Sequence, residues 1–143
     1  MVTIRVYDRN AAAANAGPNQ NLCAPVANAT LAANAATAPA IGTWTVVSGG
    51  GAFANANSPT TTVAGMVIGN NVYRWTIVNG PCPGATTTSD VTIRLFNPAT
   101  AAASAGPDQS LCGASSTVLA GNAVALPAAG TWTVVAGTAT ISN

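Results

Sequence analysis

Lysine, glutamate and histidine are absent from the 143 residues of this sequence. Without histidine, a serine or cysteine nucleophile lacks its most common general base. Without glutamate, paired catalytic carboxylates could come only from Asp8, Asp90 and Asp108, which are dispersed along the chain. The side chains that most enzymes use for acid–base and covalent chemistry are therefore missing. We expect no enzymatic activity and no catalytic residues.

Charge of either sign is also scarce. Four arginines and three aspartates give a formal net charge of +1, which is too small to attract a nucleic acid or an anionic membrane surface. No run reaches the roughly 18 apolar residues that a membrane-spanning helix needs. We therefore expect neither nucleic-acid binding nor membrane insertion. Met1 leads directly into a strand pattern, so an export signal would lie outside this segment.

Metal-binding patterns are missing as well. A calcium loop needs several oxygen ligands close together, and the three aspartates do not provide them. The three cysteines form no Cys-x-x-Cys pair, and no histidine is present to complete a zinc site. We expect no metal site and no cofactor.

The sequence does contain an internal repeat. Residues 2–23 and 91–112 are identical at thirteen of twenty-two positions, at an offset of 89 residues (91 − 2). The passage at 42–55 returns at 130–143, at an offset of 88 residues (130 − 42). A period of this length indicates an array of small domains, each of which is a folding unit.

The repeat divides the chain into three parts. We expect residues 1–10 to be the last strand of a preceding repeat, residues 11–98 to be one complete repeat and residues 99–143 to be the first half of the following repeat. The alanine runs at 11–14 and 101–103 are too short to nucleate helices. We interpret them as extended linkers between repeats.

Within the complete repeat, apolar and polar residues alternate with a period of two, which indicates β-strands. Tyr73, Trp75 and Ile77 share one face of such a run, and Trp44 and Val46 share a face of another. Turn-forming residues separate the runs, so short strands at this spacing predict an all-β, immunoglobulin-like sandwich. The seven expected strands lie near 17–23, 28–34, 42–48, 52–55, 60–66, 71–79 and 88–97.

The large aromatic side chains are the candidate core. We expect Trp44 on the third strand and Trp75 on the sixth to face each other across the sandwich, because a buried central tryptophan is common in this fold. Tyr73 and Trp132 are the other expected core aromatics. We expect Asp90 to cap the entry to the last strand and to stay solvated.

The cysteines suggest the compartment. Cys23 and Cys112 occupy the same position in successive repeats, and Cys82 gives the complete repeat a second cysteine. Two cysteines per repeat, in a lysine-free sequence rich in threonine and asparagine, indicate an oxidising, extracellular setting. We expect a disulfide between Cys23 and Cys82, and a partner of Cys112 outside the chain. The alternative is a bridge between repeats, from the corner that holds Cys23 to the turn before the last strand of the next repeat.

Four passages carry a resemblance to a known family. In their order and spacing they resemble the PKD-like, immunoglobulin-like tandem repeats of giant Bacteroidota cell-surface adhesins, of which the SprB-type gliding-motility adhesins are the best-known members. The resemblance covers nearly the whole chain. The passages are AGPNQNLC at 16–23, GTWTVVSGGGAFANANSPTTTV at 42–63, VYRWTIVNGPC at 72–82 and SDVTI at 89–93.

The resemblance implies a PKD-like sandwich that is exported by the type IX secretion system and displayed at the cell surface. Repeats of this family form filaments or stalks that carry adhesion or gliding, and they offer no catalytic residues to carry over. We therefore expect an extracellular structural or adhesive repeat, with its signal and anchor outside this segment. Its expected partners are neighbouring repeats or identical chains in a filament, and a surface polysaccharide or other adhesive ligand.

The alternative function is a carbohydrate-binding accessory module of a secreted enzyme. Such modules are also β-sandwiches, and they bind sugars through exposed aromatic side chains. Most aromatic residues of this chain stand at positions that the alternation predicts to face the interior of the sandwich. Buried Trp44 and Trp75 would favour the stalk, whereas a coplanar, exposed pair would favour sugar binding.

The incomplete repeats at the two ends are expected to need neighbours. Each would present an apolar face and an open strand edge in a single chain, which is a hazard for aggregation. The side chains concerned are Val2, Ile4, Val6 and Trp132. We expect other repeats or other chains to cover them in a filament whose axial repeat is ~35–45 Å.

Overall fold

Seven β-strands form the complete repeat, and all seven overlap the runs that alternate in the sequence. The computed structural model describes residues 1–8, 12–26, 28–81, 84–99 and 102–142. The strands are β1 (Gln20–Cys23), β2 (Asn28–Thr30), β3 (Ile41–Ser48), β4 (Ala52–Phe53), β5 (Thr62–Ala64), β6 (Gly69–Val78) and β7 (Thr86–Phe96). The expected all-β fold is confirmed.

The strands form two sheets. One has four strands in the order β1-β7-β6-β3, and the other has three in the order β2-β5-β4. β6 and β7 pair along their whole length as an antiparallel hairpin, from Val78 opposite Thr86 to Gly69 opposite Leu95. β1 lies parallel to the last third of β7, with Cys23 opposite Phe96. The first and last strands of the repeat are therefore neighbours in one sheet, with β1 at its edge.

The core lies between the two sheets and follows the alternation in the sequence. On β6, Tyr73, Trp75 and Ile77 point inward and are buried, as expected. β7 contributes its own alternate apolar residues, and the three-stranded sheet side contributes Leu31 and Val63, both fully buried. A buried side chain of this size gains roughly 1.5–3 kcal/mol from leaving water, so these contacts are the main source of stability.

The two core tryptophans touch, but not in the expected arrangement. Trp44 and Trp75 are directly opposite each other on the paired strands β3 and β6 of the same sheet. Their ring centroids are 5.1 Å apart, and the rings are tilted by 44°. The expectation that they face each other across the sandwich is wrong, because β3 and β6 are hydrogen-bonded neighbours rather than members of opposing sheets.

Val46 lies on the same face as Trp44, as expected, because it is paired with the inward-facing Tyr73, and it is 42% exposed. One further expectation on the strands needs correction. Asp90 does not cap the entry to β7. It lies within that strand, opposite Arg74 on β6, and forms an ion pair with it.

Asn71 is a fully buried polar side chain near the start of β6. Its Oδ1 accepts hydrogen bonds of 3.0 Å from the main-chain N–H groups of Gly50 and Val67. Its Nδ2 donates to the carbonyl oxygen of Val67 at 2.8 Å and, more weakly, to that of Ile93 at 3.4 Å. The side chain thus provides hydrogen-bond partners for main-chain groups of two loops at one end of the sandwich.

The described residues outside the complete repeat, 1–8 and 102–142, contain no strand. Strand formation in the complete repeat depends on distant partners, since β1 pairs with β7 and β3 pairs with β6. Those partners have no counterpart beside residues 102–142 in this chain. Trp132, the counterpart of Trp44, is accordingly 41% exposed, compared with 2% for Trp44.

One pair of hydrogen bonds of the complete repeat nevertheless recurs in residues 102–142. Asn34 donates its main-chain N–H to Asn15 at 3.0 Å, and its Oδ1 accepts from the N–H of Asn15 at 2.8 Å. Asn122 makes the same two bonds with Ser104, at 3.1 and 2.7 Å. These pairs occupy equivalent positions of the two repeats, so this contact is present in residues 102–142 although no strand is formed there.

Candidate functional site: the two ends of the sandwich

The chain enters and leaves the complete repeat at opposite ends. Near the entry, Ala14 and Ala16 donate main-chain hydrogen bonds to the hydroxyl oxygens of Thr87 and Ser89, at the start of β7. The exit is Phe96, the last residue of that strand. Eleven residues of extended chain separate these ends by about 33 Å.

At the entry end, the segment before the repeat contacts the β6–β7 turn (residues 79–85). The Tyr7 ring lies against Gly80, so closely that a Cβ atom at Gly80 would sit 2.5 Å from two ring carbons. Asn79, which is buried, donates a side-chain hydrogen bond to the main-chain oxygen of Asp8. The main-chain N–H of Asn79 also closes the turn onto Ala85 at 2.9 Å. We call Asn79 and Gly80 the turn socket.

At the exit end, the corner after β1 meets the end of β7. Cys23 lies opposite Phe96, and Ala24 donates its main-chain N–H to the oxygen of Phe96 at 2.9 Å. Cys23 is exposed and unbonded, as is Cys112. Phe96 is the counterpart of Tyr7 at the offset of 89 residues. The residue that fills the turn socket at the entry thus has an equivalent at the exit.

Cys82 lies outside the described residues, so the pairing of Cys23 with Cys82 stays a prediction. The described neighbours of Cys82 in the sequence, Pro81 and Gly84, precede the first residue of β7, whereas Cys23 lies beside its last residue. A disulfide requires its two Cα atoms to approach within ~7 Å. The alternative, a bridge between consecutive repeats, stays a prediction as well.

A single ion pair lies on the outer face of the four-stranded sheet, among the described residues. The Nε and NH2 groups of Arg74 donate to the two carboxylate oxygens of Asp90 at 2.7 and 2.8 Å. These bonds hold the pKa of Asp90 below its usual range and raise the pKa of Arg74. Both side chains are about two-fifths exposed, so solvent screens the pair and its contribution to stability is small.

The aromatic residues form a connected cluster in the interior. Phe53 stacks on Trp44 with 6.3 Å between ring centroids and meets Tyr73 edge to face at 5.5 Å. Tyr73 is fully buried, and its hydroxyl donates to the oxygen of Gly50 at 2.6 Å. Burial raises the pKa of Tyr73. Trp44 and Trp75 are buried and tilted rather than exposed and coplanar, so they offer no sugar-binding platform.

The described residues contain no group of three or more histidine, cysteine, aspartate or glutamate residues close enough to hold a metal ion. In the same part of the chain, no helix has the length and apolar character needed to cross a membrane. The open hollows beside Trp132, about 530 and 550 Å³ in volume, are lined by residues of the strandless segment 102–142.

Three features of the structure were not predicted from the sequence. The recurrence of Asn34 as Asn122, at an offset of 88 residues (122 − 34), was available as a signal for the hydrogen bonds that these asparagines make with Asn15 and Ser104. The Arg74–Asp90 pair could have been found by aligning the expected sixth and seventh strands across their turn. The turn socket carried no signal, since its contact with Tyr7 joins residues more than 70 positions apart.

No protein-family model matches the sequence, and no curated protein matches it either. Among solved structures, the chain is similar to the PKD domain of the KIAA 1837 protein, with a TM-score of 0.50 and 25% identity over 68% of this chain and 92% of that one. It is also similar to the PKD domain of human KIAA0319, with a TM-score of 0.49 and 17% identity over 68% and 88% of the two chains.

A third similarity is to a nucleoside hydrolase-related hypothetical protein from Saccharophagus degradans, with a TM-score of 0.43 and 18% identity. It covers 54% of this chain but only 22% of that one. The first similarity agrees with the seven strands and the two sheets described above. The complete repeat is a PKD-like β-sandwich of the immunoglobulin type.

Proposed function

We propose that the chain is a structural and adhesive repeat of a long extracellular filament or stalk. The observation that carries the proposal is the placement of entry and exit at opposite ends of the sandwich, about 33 Å apart along β7. Repeated at a period of 89 residues, this arrangement produces a linear array. The similarity to PKD domains supports an extracellular module of the adhesion type.

The surface of the repeat suits such a role. On the outer face of the four-stranded sheet, the register aligns Thr43, Thr76 and Thr88 in one row across three strands. Hydroxyl and amide groups thus keep the repeat hydrated without a large net charge. A near-neutral surface avoids strong repulsion between many copies of one domain held side by side.

Cysteine pairing between repeats would reinforce the same array. In a tandem chain, the exit end of one repeat meets the entry end of the next. Cys23 lies at the exit end, and the turn that contains position 82 in the sequence belongs to the entry end. A bridge between the equivalent cysteines of consecutive repeats would link each joint covalently, in the oxidising setting that the cysteine count indicates.

The finer assignment, to gliding-motility adhesins secreted by the type IX system, belongs to this proposal as well. Its support is the sequence resemblance of the passages at 16–23, 42–63, 72–82 and 89–93. The carbohydrate-binding alternative has lost its distinguishing feature, because Trp44 and Trp75 are buried.

The experiment is immunogold labelling of the intact source cells with antibodies raised against residues 12–98. We expect labelling without permeabilisation, along fibres that project from the surface, and reduced attachment to surfaces when the repeats are deleted from the parent gene. Labelling that requires permeabilised cells would contradict the proposal. Antibodies against residues 102–142 serve as a second, independent probe of the same chain.

A further inference from the structure

We propose that the turn socket, Asn79 and Gly80, is a docking site for the end of the last strand of the preceding repeat, and that it fixes the angle between consecutive repeats. The occupant is an aromatic ring followed by a main-chain carbonyl, represented here by Tyr7 and Asp8. The proposal rests on the proposed function only where it is extended to further repeats.

The contact is specific in two ways. The Tyr7 ring lies on the bare Cα of Gly80, where any larger residue would place its Cβ 2.5 Å from ring carbons. Beside it, the buried side chain of Asn79 donates to the oxygen of Asp8. An apolar contact and a hydrogen bond at adjacent positions restrain both the position and the rotation of the incoming segment.

Gly80 is suited to this place by its backbone as well as by its size. Its φ is +77°, a conformation that residues with a Cβ adopt only at a cost in energy. Among the described residues, all those with a positive φ are glycines. Gly84, in the same turn, has a φ of +73° but nothing within 4 Å of its hypothetical Cβ. The two glycines therefore share the backbone requirement, while only Gly80 also needs space for a neighbour.

The occupant recurs once per repeat. At the offset of 89 residues, Tyr7 and Asp8 correspond to Phe96 and Asn97, which stand at the exit of the complete repeat. Each repeat therefore carries a socket at its entry and an aromatic strand end at its exit. Head-to-tail contacts of this kind join two different surfaces, so the same contact can be repeated from one repeat to the next along a tandem chain.

Docking on the turn socket predicts a stiff connection between consecutive repeats. A linker between free domains leaves their relative orientation open, whereas this chain is held to the repeat at Tyr7 and Asp8 and again at Ala14 and Ala16. The filament would then be a semi-rigid rod, able to transmit force and torsion from one repeat to the next.

The test is a measurement of backbone order by ¹⁵N relaxation in the 143-residue chain. We expect residues 3–8 to show order parameters near the value of about 0.85 that rigid backbone has, and a nuclear Overhauser effect between the Tyr7 ring and Gly80. Gly80→Ala and Tyr7→Ser should each lower the order parameters of residues 3–8 below about 0.6 and remove that effect.

Two matched variants separate docking from other causes. Gly84→Ala introduces the same backbone strain without touching Tyr7, and Tyr7→Phe keeps the ring in the form that Phe96 provides. Both should leave residues 3–8 ordered. Disorder of residues 3–8 in the unmodified chain, or equal effects of Gly80→Ala and Gly84→Ala, would overturn the proposal. If Gly80→Ala prevents folding, the comparison of Tyr7→Ser with Tyr7→Phe tests the proposal instead, because only Tyr7→Ser should lower the order parameters of residues 3–8.

Failure of this proposal and failure of the proposed function are distinguishable. Mobile residues 3–8 would leave a filament with flexible joints, still labelled on intact cells. A parent protein that is not displayed outside the cell would remove the filament, but residues 3–8 would still dock on the turn socket in the purified chain.

Discussion

Trp44 and Trp132 provide an internal comparison, because both stand in the six-residue passage Gly-Thr-Trp-Thr-Val-Val. Trp44 is 2% exposed, lies 5.1 Å from Trp75 between ring centroids, and donates its Nε1–H to the oxygen of Ser58 at 3.1 Å. Trp132 is 41% exposed. We predict that Trp44→Ala lowers the free energy of unfolding by about 3–5 kcal/mol, which is the usual cost of removing a buried tryptophan. Trp132→Ala should change it by less than about 0.5 kcal/mol.

The assay is urea-induced unfolding of the 143-residue chain and of both variants, followed by far-ultraviolet circular dichroism. For a domain of this size, the loss at Trp44 corresponds to a fall in Tm of roughly 12–40 °C, and the loss at Trp132 to a few degrees at most. Equal losses at the two positions would refute the reasoning. They would mean that the local passage, rather than pairing with β6, determines the environment of the tryptophan.

Three further predictions concern the interior and the thiols. Asn71→Ala should lower the free energy of unfolding in urea by about 1–3 kcal/mol, because it removes the acceptor of the main-chain N–H groups of Gly50 and Val67, whereas the same change at the exposed neighbour Asn70 should cost little. Burial raises the pKa of Tyr73 from its usual value of 10.0. The contribution of the neutral Tyr73 to the free energy of unfolding is therefore complete below pH ~10, and it is lost as the pH rises through the raised pKa. Tyr73→Phe should make the decline of Tm at alkaline pH less steep. After refolding in a glutathione redox buffer, mass spectrometry of the alkylated, dilute chain should find no internal disulfide, and a bridge between Cys23 and Cys82 would contradict the pairing between repeats.

The strands could be predicted because their pattern is local. Tyr73, Trp75 and Ile77 alternate with polar residues, and this alternation alone places them on one face of β6. The same reasoning succeeded on β7. It also placed Val46 on the face of Trp44, but it did not reveal the register shift of β3 between Val46 and Ser48, which depends on how that strand pairs with β6.

Pairing between distant segments explains the remaining differences. The position of Trp44 beside Trp75, rather than across from it, follows from the sheet order β1-β7-β6-β3. The same dependence explains why residues 102–142 keep the corner bonds of Asn122 and Ser104 but form no strand. The turn socket was invisible for this reason too, since the contact of Tyr7 with Gly80 crosses the boundary between repeats.

The central claim is that repeats of this kind stack end to end, and the axial spacing of the parent protein tests it most directly. Electron microscopy of the purified parent, with averaging along the particle, should show an unbranched rod with a periodicity of ~35–45 Å, close to the length of β7 and its linker. A compact particle, or beads whose spacing varies freely along the chain, would contradict end-to-end stacking with fixed joints.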